Sequence, residues 1–376
     1  MFDPEKLPVI REQIRERTRA DKALLDAVCD DVRALAGTVR TVQPRGTTSI
    51  SLVASDGGNN KVEYNPFYLQ LVRVVDSYGD ELFLDVVSPS TDIAELGRRH
   101  LPPGAAPTTA LGRLMADLGA TTLSELSPML PPQPRSAGWT LVYRDLCEWA
   151  TLYDLICYQR FGTDTLIVRD GLLRSKIFAG DGFVRMYRLI ADAIARTERE
   201  RRREVYLVGI AKHSQVLRQY QLAMAVTGTF PSGHPCYAPV PMAMQQNVYL
   251  WDEYIRSPDD DRDGEAAKFN MGAMYFVRFG TRSGDPVWTV DLLANQTARD
   301  QKIFGCLLAD AVAGFPIPFY PNCLQQADHY AQIVDFDLDI LQDTLVEAVR
   351  EQIAPERRAA FDGHRLASDL TGRRYE

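Results

Sequence analysis

Residues 49–60 read SISLVASDGGNN, and residues 165–173 read TLIVRDGLL. In each, a run rich in apolar and β-branched residues predicts a buried strand (Ser49 to Ser55, Thr165 to Val168). Each then meets an acid-glycine pair, Asp56-Gly57 and Asp170-Gly171. A carboxylate at the end of a buried strand is costly unless it has a partner. A cation would be such a partner, and the following glycine lets the backbone turn and leaves room for a metal or phosphate. Asp-Gly is also an ordinary turn dipeptide, so either pair alone is equally a plain strand end.

Working outward, Phe67 to Val75 and Leu82 to Val87 alternate as strands around Asp76-Ser77-Tyr78-Gly79-Asp80, which predicts an antiparallel hairpin. Residues 140–161 and 182–202 predict long helices. Val205 to Ile210 predicts a further buried strand that stops at Lys212-His213-Ser214. Tyr275 to Phe279 and Val287 to Leu292 predict a late hairpin, followed by helices near 300–313, 324–333 and 337–353. Leu24, Leu25, Val28, Val32 and Leu35 recur near the helical period and predict a helical N-terminal segment ending by Gly37. Residues 88–135 and 226–270, rich in turn formers, read as irregular insertions apart from a weak helical patch at 110–118. The last twenty or so residues read as a polar, mobile tail. The expected organisation is a helical segment over 1–48, a mixed α/β domain over 49–335, and a C-terminal helix and tail over 336–376.

The helix at 140–161 carries a third acid. Leu141, Leu152 and Leu155 lie seven before, four after and seven after Glu148, so Glu148 falls within the apolar stripe and faces the sheet. The alternatives are a boundary residue or one paired with Arg144, and Asp154 competes on the same helix. Lys212 is either a cation at a strand-end site or a solvated terminus. The run Arg196 to Arg203 (RTERERRR) reads either as a track for a phosphate backbone or as a solvated helix face.

Composition bounds the rest. With 376 residues, 45% apolar and 24% charged, the chain can bury a core without disulfides. The six cysteines are dispersed and form no CxxC, which reads as reduced thiols and not as a zinc site. No stretch approaches the roughly 18 apolar residues of a membrane span, and the charged N-terminus has no apolar leader; a cytoplasmic protein is expected. The formal net charge of −8 argues against an autonomous nucleic-acid binder. Neither a phosphate-binding G-x-x-x-x-G-K-[ST] loop nor a G-x-S-x-G nucleophile motif occurs.

In order along the chain, SLVASDGGNN, RDLCEW leading into LIVRDGLL, VYLVGIAKHS and YPNCLQQADHYA together resemble the NurA nuclease family over about Ser49 to Ile333. The resemblance implies an RNase H-like mixed sheet flanked by helices and metal-dependent DNA cleavage with manganese, magnesium being the alternative. It also implies a homodimer and a HerA-type hexameric ATPase partner, in DNA end processing or defence against foreign DNA. By the resemblance Asp56, Glu148, Asp170 and Asp328 are the metal ligands, with Lys212 near the scissile phosphate and Tyr320 beside the site. Many relatives carry Tyr-Pro before a helix with Ala-His, whereas here Tyr320-Pro321 precedes Ala327-Asp328-His329. Asp328 stands in the histidine place and His329 follows it; Asp328 is preferred, as the harder oxygen donor. The rival functions are a catalytically silent subunit that clamps DNA or regulates the ATPase, and a carboxylate phosphatase for a small substrate.

Overall fold

In a computed structural model the described residues are 6–45, 50–133, 138–249 and 270–363, without the side chains of 50–60, 335 and 336. The chain opens with α1 (Leu7–Ala20) and α2 (Lys22–Ala36), then β1 (Arg40–Thr41), β2 (Ile50–Tyr64), β3 (Phe67–Asp76) and β4 (Glu81–Val87). Next come α3 (Ile93–His100), α4 (Ala110–Asp117), α5 (Leu123–Leu126), α6 (Trp139–Tyr158), β5 (Asp164–Asp170), α7 (Gly182–Arg201) and β6 (Val205–Ala211). There follow α8 (Gln215–Thr227), β7 (Cys236–Pro239), α9 (Met242–Gln246), β8 (Gly272–Arg278) and β9 (Trp288–Leu293). The last are α10 (Asp300–Val312), α11 (Asn322–Ala331) and α12 (Asp335–Gln352).

Among the described residues the strands form one nine-stranded sheet, in the order β1-β7-β8-β9-β6-β5-β2-β3-β4. Only β2, β5 and β6 run parallel to their neighbours in that set; the rest of the ladder is antiparallel. The half β4-β3-β2-β5-β6 is the expected RNase H-like mixed sheet. All seven residues of β6 and five of the seven in β5 are buried. That is the signature of parallel strands covered on both faces. Ile167 and Leu207 join the core under α3 to α7, while Leu166, Val168, Val208 and Ile210 join the core under α10 and α11. None of the described helices is long and apolar enough to cross a membrane, and all six cysteines are free.

Two expectations need correction. First, β2 does not stop at Asp56. Its parallel pairing with β5 ends at Ser55↔Arg169, but the strand continues to Tyr64, each residue from Asp56 paired with β3. Asp56-Gly57-Gly58-Asn59-Asn60 is a strand because β3 offers it a complete antiparallel ladder, and that ladder outweighs the local turn preference. The turn falls instead at Asn65-Pro66. Second, residues 88–135 are not irregular as far as they are described. Three short helices start there on good caps. Asp92 accepts from the amides of Ala94 and Glu95 at 2.8 and 3.1 Å, Thr109 from Gly112 at 3.1 Å, and Thr122 from Glu125 at 3.2 Å. They bury Ile93, Leu96, Leu111, Leu114, Met115, Leu123 and Leu126. Likewise α8, β7 and α9 occupy stretches that include part of the expected loop region at 226–270. Residues 250–269 of that region and 364–376 of the expected tail lie outside the described residues.

The loop after β5 is clamped to the sheet. A Cβ at Gly209 of β6 would come within 2.5 Å of the Gly171 oxygen and 2.9 Å of the Leu173 nitrogen, so only glycine permits this crossing. The fully buried Asp291 of β9 accepts from the Leu173 amide at 3.1 Å and from Arg174 Nε and Nη2 at 2.9 and 3.1 Å. Arg174 Nη2 also donates to Gln245 Oε1 at 2.8 Å. Removing one member of a buried, hydrogen-bonded ion pair strands the other's charge and costs about 3–5 kcal/mol. Asp291→Ala should therefore lower the unfolding free energy by that amount, read from urea denaturation; an unchanged midpoint would refute the clamp.

A second buried network ties the short helices to the sheet edge. The Tyr143 hydroxyl donates to Asp85 Oδ2 at 2.6 Å and meets His100 Nε2 at 2.7 Å, while His100 Nδ1 lies 2.9 Å from the Thr109 hydroxyl. Burial pushes the His100 pKa down to about 4, against the opposing pull of Asp85. The unfolded chain therefore binds this proton at a higher pH than the folded one. Stability is full above the ordinary value of 6.5 and is lost as pH falls from there towards 4. The loss is at most about 3 kcal/mol. His100→Gln should flatten this limb of a stability–pH profile; an unaltered slope would exclude His100 as its source.

Candidate active site

Three elements converge at the C-terminal edge of β5 and β6. Asp170 is the last residue of β5, Lys212 follows the last residue of β6, and Asp328 lies on α11. Lys212 Nζ is 2.8 Å from Asp170 Oδ2 and 3.5 Å from Asp328 Oδ2, and sits 5.6 Å from the centre of the Tyr320 ring. The Tyr320 hydroxyl donates to Asp170 Oδ1 at 3.2 Å. Each carboxylate oxygen of Asp170 therefore has its own partner.

The surroundings fix these positions. Tyr320 is fully buried, edge-on to Trp288 at 4.8 Å, and the Trp288 indole donates to the Phe319 oxygen at 2.6 Å. Gln325 closes the turn that carries Tyr320: its amide donates to the Ile317 and Tyr320 oxygens at 3.0 and 2.9 Å, and its oxygen accepts from the Ile317 amide at 2.8 Å. A Cβ at Gly314 would come within 2.1 Å of the Tyr320 oxygen, so the chain passes too close for any other residue. At the far end of α11, Arg73 of β3 donates to the Tyr330 oxygen at 2.7 Å and pairs with Glu81 at 3.0 Å.

Asp328 and His329, one residue apart, are rotated by about 100° on the helix. Asp328 faces Lys212, whereas His329 is exposed with its ring against Tyr330 at 5.8 Å. Glu148 does not stand alone. It lies 3.3 Å from Arg144 and 3.5 Å from Arg169, so the pairing with Arg144 that the sequence left open is present, with a second arginine added. Asp154, the competing acid, pairs with Arg113 on a different part of the helix. The side chain of Asp56 lies outside the described residues. Its backbone pairs with Val75, one step beyond Ser55↔Arg169, so it stands level with Asp170 on the neighbouring strand.

Sequence reading missed Arg169 and Asp145. Arg169 is buried over the face of Trp149, 4.3 Å from the ring centre, and its Nη2 donates to Asp145 Oδ1 at 3.2 Å. Burial pushes the Asp145 carboxyl up, against the opposing pull of Arg169 and Arg144. The available signal was an arginine inside an otherwise apolar strand, LIVRD. The run Arg196 to Arg203 is exposed, but it ends α7 and leads into the start of β6. It thus lies a whole strand, about 20 Å, from Lys212.

Asp170 and Asp328 present hard oxygen donors to one cation, here the Lys212 ammonium, and such donors suit magnesium or manganese. Among the described residues no three His, Cys, Asp or Glu side chains gather closely enough to hold a metal.

No family model matches the chain, and no curated protein matches it in sequence. Its structure is similar to the NurA nuclease from Sulfolobus solfataricus, at 12% identity and a TM-score of 0.42, covering 94% of this chain and 99% of that one. It is similar to NurA bound to dAMP and manganese, at 9% identity and a TM-score of 0.42, covering 96% and 100%. A third likeness is to NurA with manganese, at 11% identity and 0.39, covering 90% and 98%. Over most of its length the chain is thus similar in structure, at low sequence identity, to NurA nucleases.

Proposed function

We propose that this chain is a metal-dependent DNA nuclease, with its reaction centre at the C-terminal edge of β5 and β6. The observation that carries the reading is the convergence of Asp170 and Asp328 on one cationic position, beside a neighbouring strand that brings Asp56 level with Asp170. In this reading Asp56, Asp170 and Asp328 hold divalent metal, with Glu148 as a further ligand. Two bound ions, manganese or magnesium, would supply an activated water and stabilisation of the leaving 3′ oxygen of a phosphodiester. The chain's own groups do the positioning. Tyr320 orients Asp170 through Oδ1, leaving Oδ2 towards the cation, and Lys212 offers its ammonium to a non-bridging phosphate oxygen. His329, exposed beside Tyr330, would support the site from behind Asp328 or contact the leaving phosphate.

The finer parts of the proposal follow the sequence resemblance. The nuclease acts as a cytoplasmic homodimer with a HerA-type hexameric ATPase, in end processing or defence, as a 5′–3′ exonuclease with some endonuclease action on single strands. The domain plan is the one expected from sequence, with the nuclease domain over 49–335. A net charge of −8 fits a nuclease to which a partner feeds DNA. A second reading is a silent DNA-clamping subunit; the position of Lys212 between Asp170 and Asp328, as a cation built into the chain, favours it. Labelled linear DNA with manganese separates the two. Under the nuclease reading Asp56→Asn and Asp170→Asn each abolish nucleotide release and keep wild-type circular dichroism. Folded variants that retain cleavage would remove both residues from the site, and an inactive wild type, tested with and without the ATPase, would favour the clamp.

The α11 geometry yields a second test. Asp328→Ala should lose activity outright, while His329→Ala keeps part of it at saturating manganese. The reverse ranking would make histidine the functional group and shift the register by one residue.

A further inference from the structure

Arg169 joins two groups that the proposed site needs on opposite sides of one strand. Its side chain is 10% exposed and its guanidinium lies flat on Trp149. Nη1 donates to the Asp170 oxygen at 3.1 Å and the Leu172 oxygen at 3.2 Å, so one arm grips the backbone turn that ends β5. Nη2 donates to Asp145 Oδ1 at 3.2 Å and lies 3.5 Å from Glu148 Oε2, so the other arm grips α6. The turn is shaped around this group. Gly171 has φ +106°, and a Cβ there would sit 2.4 Å from Nη1.

Stability alone does not account for the choice of arginine here. A whole buried cluster of arginine and acids is often replaceable by apolar residues of similar volume at little cost or with a gain. A lysine at the same place would supply the charge but not the planar fork that bonds in two directions. The residue type is therefore explained by what it connects, the backbone of Asp170 and the carboxylate of Glu148.

We infer that Arg169 is a positioning residue that presets the separation of Asp170 and Glu148, and so the affinity of the site for divalent metal. The inference rests on the nuclease reading above. Groups that orient metal ligands from behind typically change metal affinity by about 10–100-fold when altered. The test uses the full chain and Mn2+ itself, with free Mn2+ followed by its electron paramagnetic resonance signal, beside thermal unfolding and cleavage kinetics. Arg169→Lys should keep the circular dichroism spectrum and weaken Mn2+ binding about tenfold or more. At fixed, subsaturating Mn2+ it should lower kcat/KM for DNA, with the loss largely restored at high Mn2+. A purely structural role would instead shift the melting temperature and leave the Mn2+ affinity of the folded fraction untouched, which overturns the inference. Where Arg169→Lys does not fold, Asp145→Asn loosens the same guanidinium from one anchor, and a folded variant with unaltered Mn2+ affinity overturns the inference equally. A wild type that neither binds Mn2+ nor cleaves DNA overturns both readings. A wild type that does both, matched by Arg169→Lys, overturns this one alone.

Discussion

Negative charge held at the end of buried strands is the constraint around which this molecule is arranged. The middle of β5, Leu166 to Val168, is apolar, and Asp170 stands where the parallel ladder with β2 has just run out. An acid in that place must meet positive charge or hydrogen-bond donors, because its desolvation is otherwise too costly. Lys212 comes from the end of the next strand, Tyr320 from the turn before α11, and both reach Asp170. Asp328 then shares the Lys212 ammonium from above. Three stretches distant in sequence, at Asp170, Lys212 and Tyr320 to Asp328, are brought together by one electrostatic requirement.

The same requirement explains why so much of the surrounding structure is devoted to holding backbone. The chain leaving Asp170 crosses Gly209 within contact distance, is anchored through Leu173 and Arg174 to Asp291, and is gripped from the other face by Arg169. The turn bearing Tyr320 is closed by Gln325 and packed on Trp288. None of these contacts lies between Asp170 and Asp328, yet together they fix the backbone that carries Asp170 and Tyr320. Under the proposed function this rigidity would matter, since selectivity for a metal depends on the spacing and number of oxygen donors.

The sequence made the frame legible where periodicity was long and uninterrupted. β3, β4, β6, α6 and α7 lie close to where their patterns put them, because each buries a face whose repeat is visible in the residues themselves. It failed where a distant partner decided the outcome. Nothing local says that Asp56 to Asn60 will be strand, since the reason is the ladder to β3. The short helices α3, α4 and α5 had too few turns for a period, although Asp92, Thr109 and Thr122 were readable caps. At the site, an acid at a strand end is visible as an anomaly, and it singles out Asp170. Arg169 was passed over because its partners, Asp145 and Glu148, lie about twenty residues away on a helix whose rotation only packing fixes. The choice between Asp328 and His329 was open for the same reason, and the docking of α11 turns Asp328 to Lys212.

Charge also bears on how such a site would meet a polyanion. The charged groups described at this point are two carboxylates and one ammonium, which together repel phosphate. The arginine-rich end of α7 lies at the opposite edge of the sheet, about a strand length away, and cannot cancel that repulsion at a screening length of about 8–10 Å. Under the proposed function a divalent ion would reverse the sign of the local field, because a bound metal is the largest charge in such a site. Metal and nucleic acid would then each strengthen the binding of the other, as linkage requires of two ligands whose interaction is favourable. Under that function an acidic chain could act on DNA with Lys212 as the described cation at the site, provided that metal arrives before or with the phosphate.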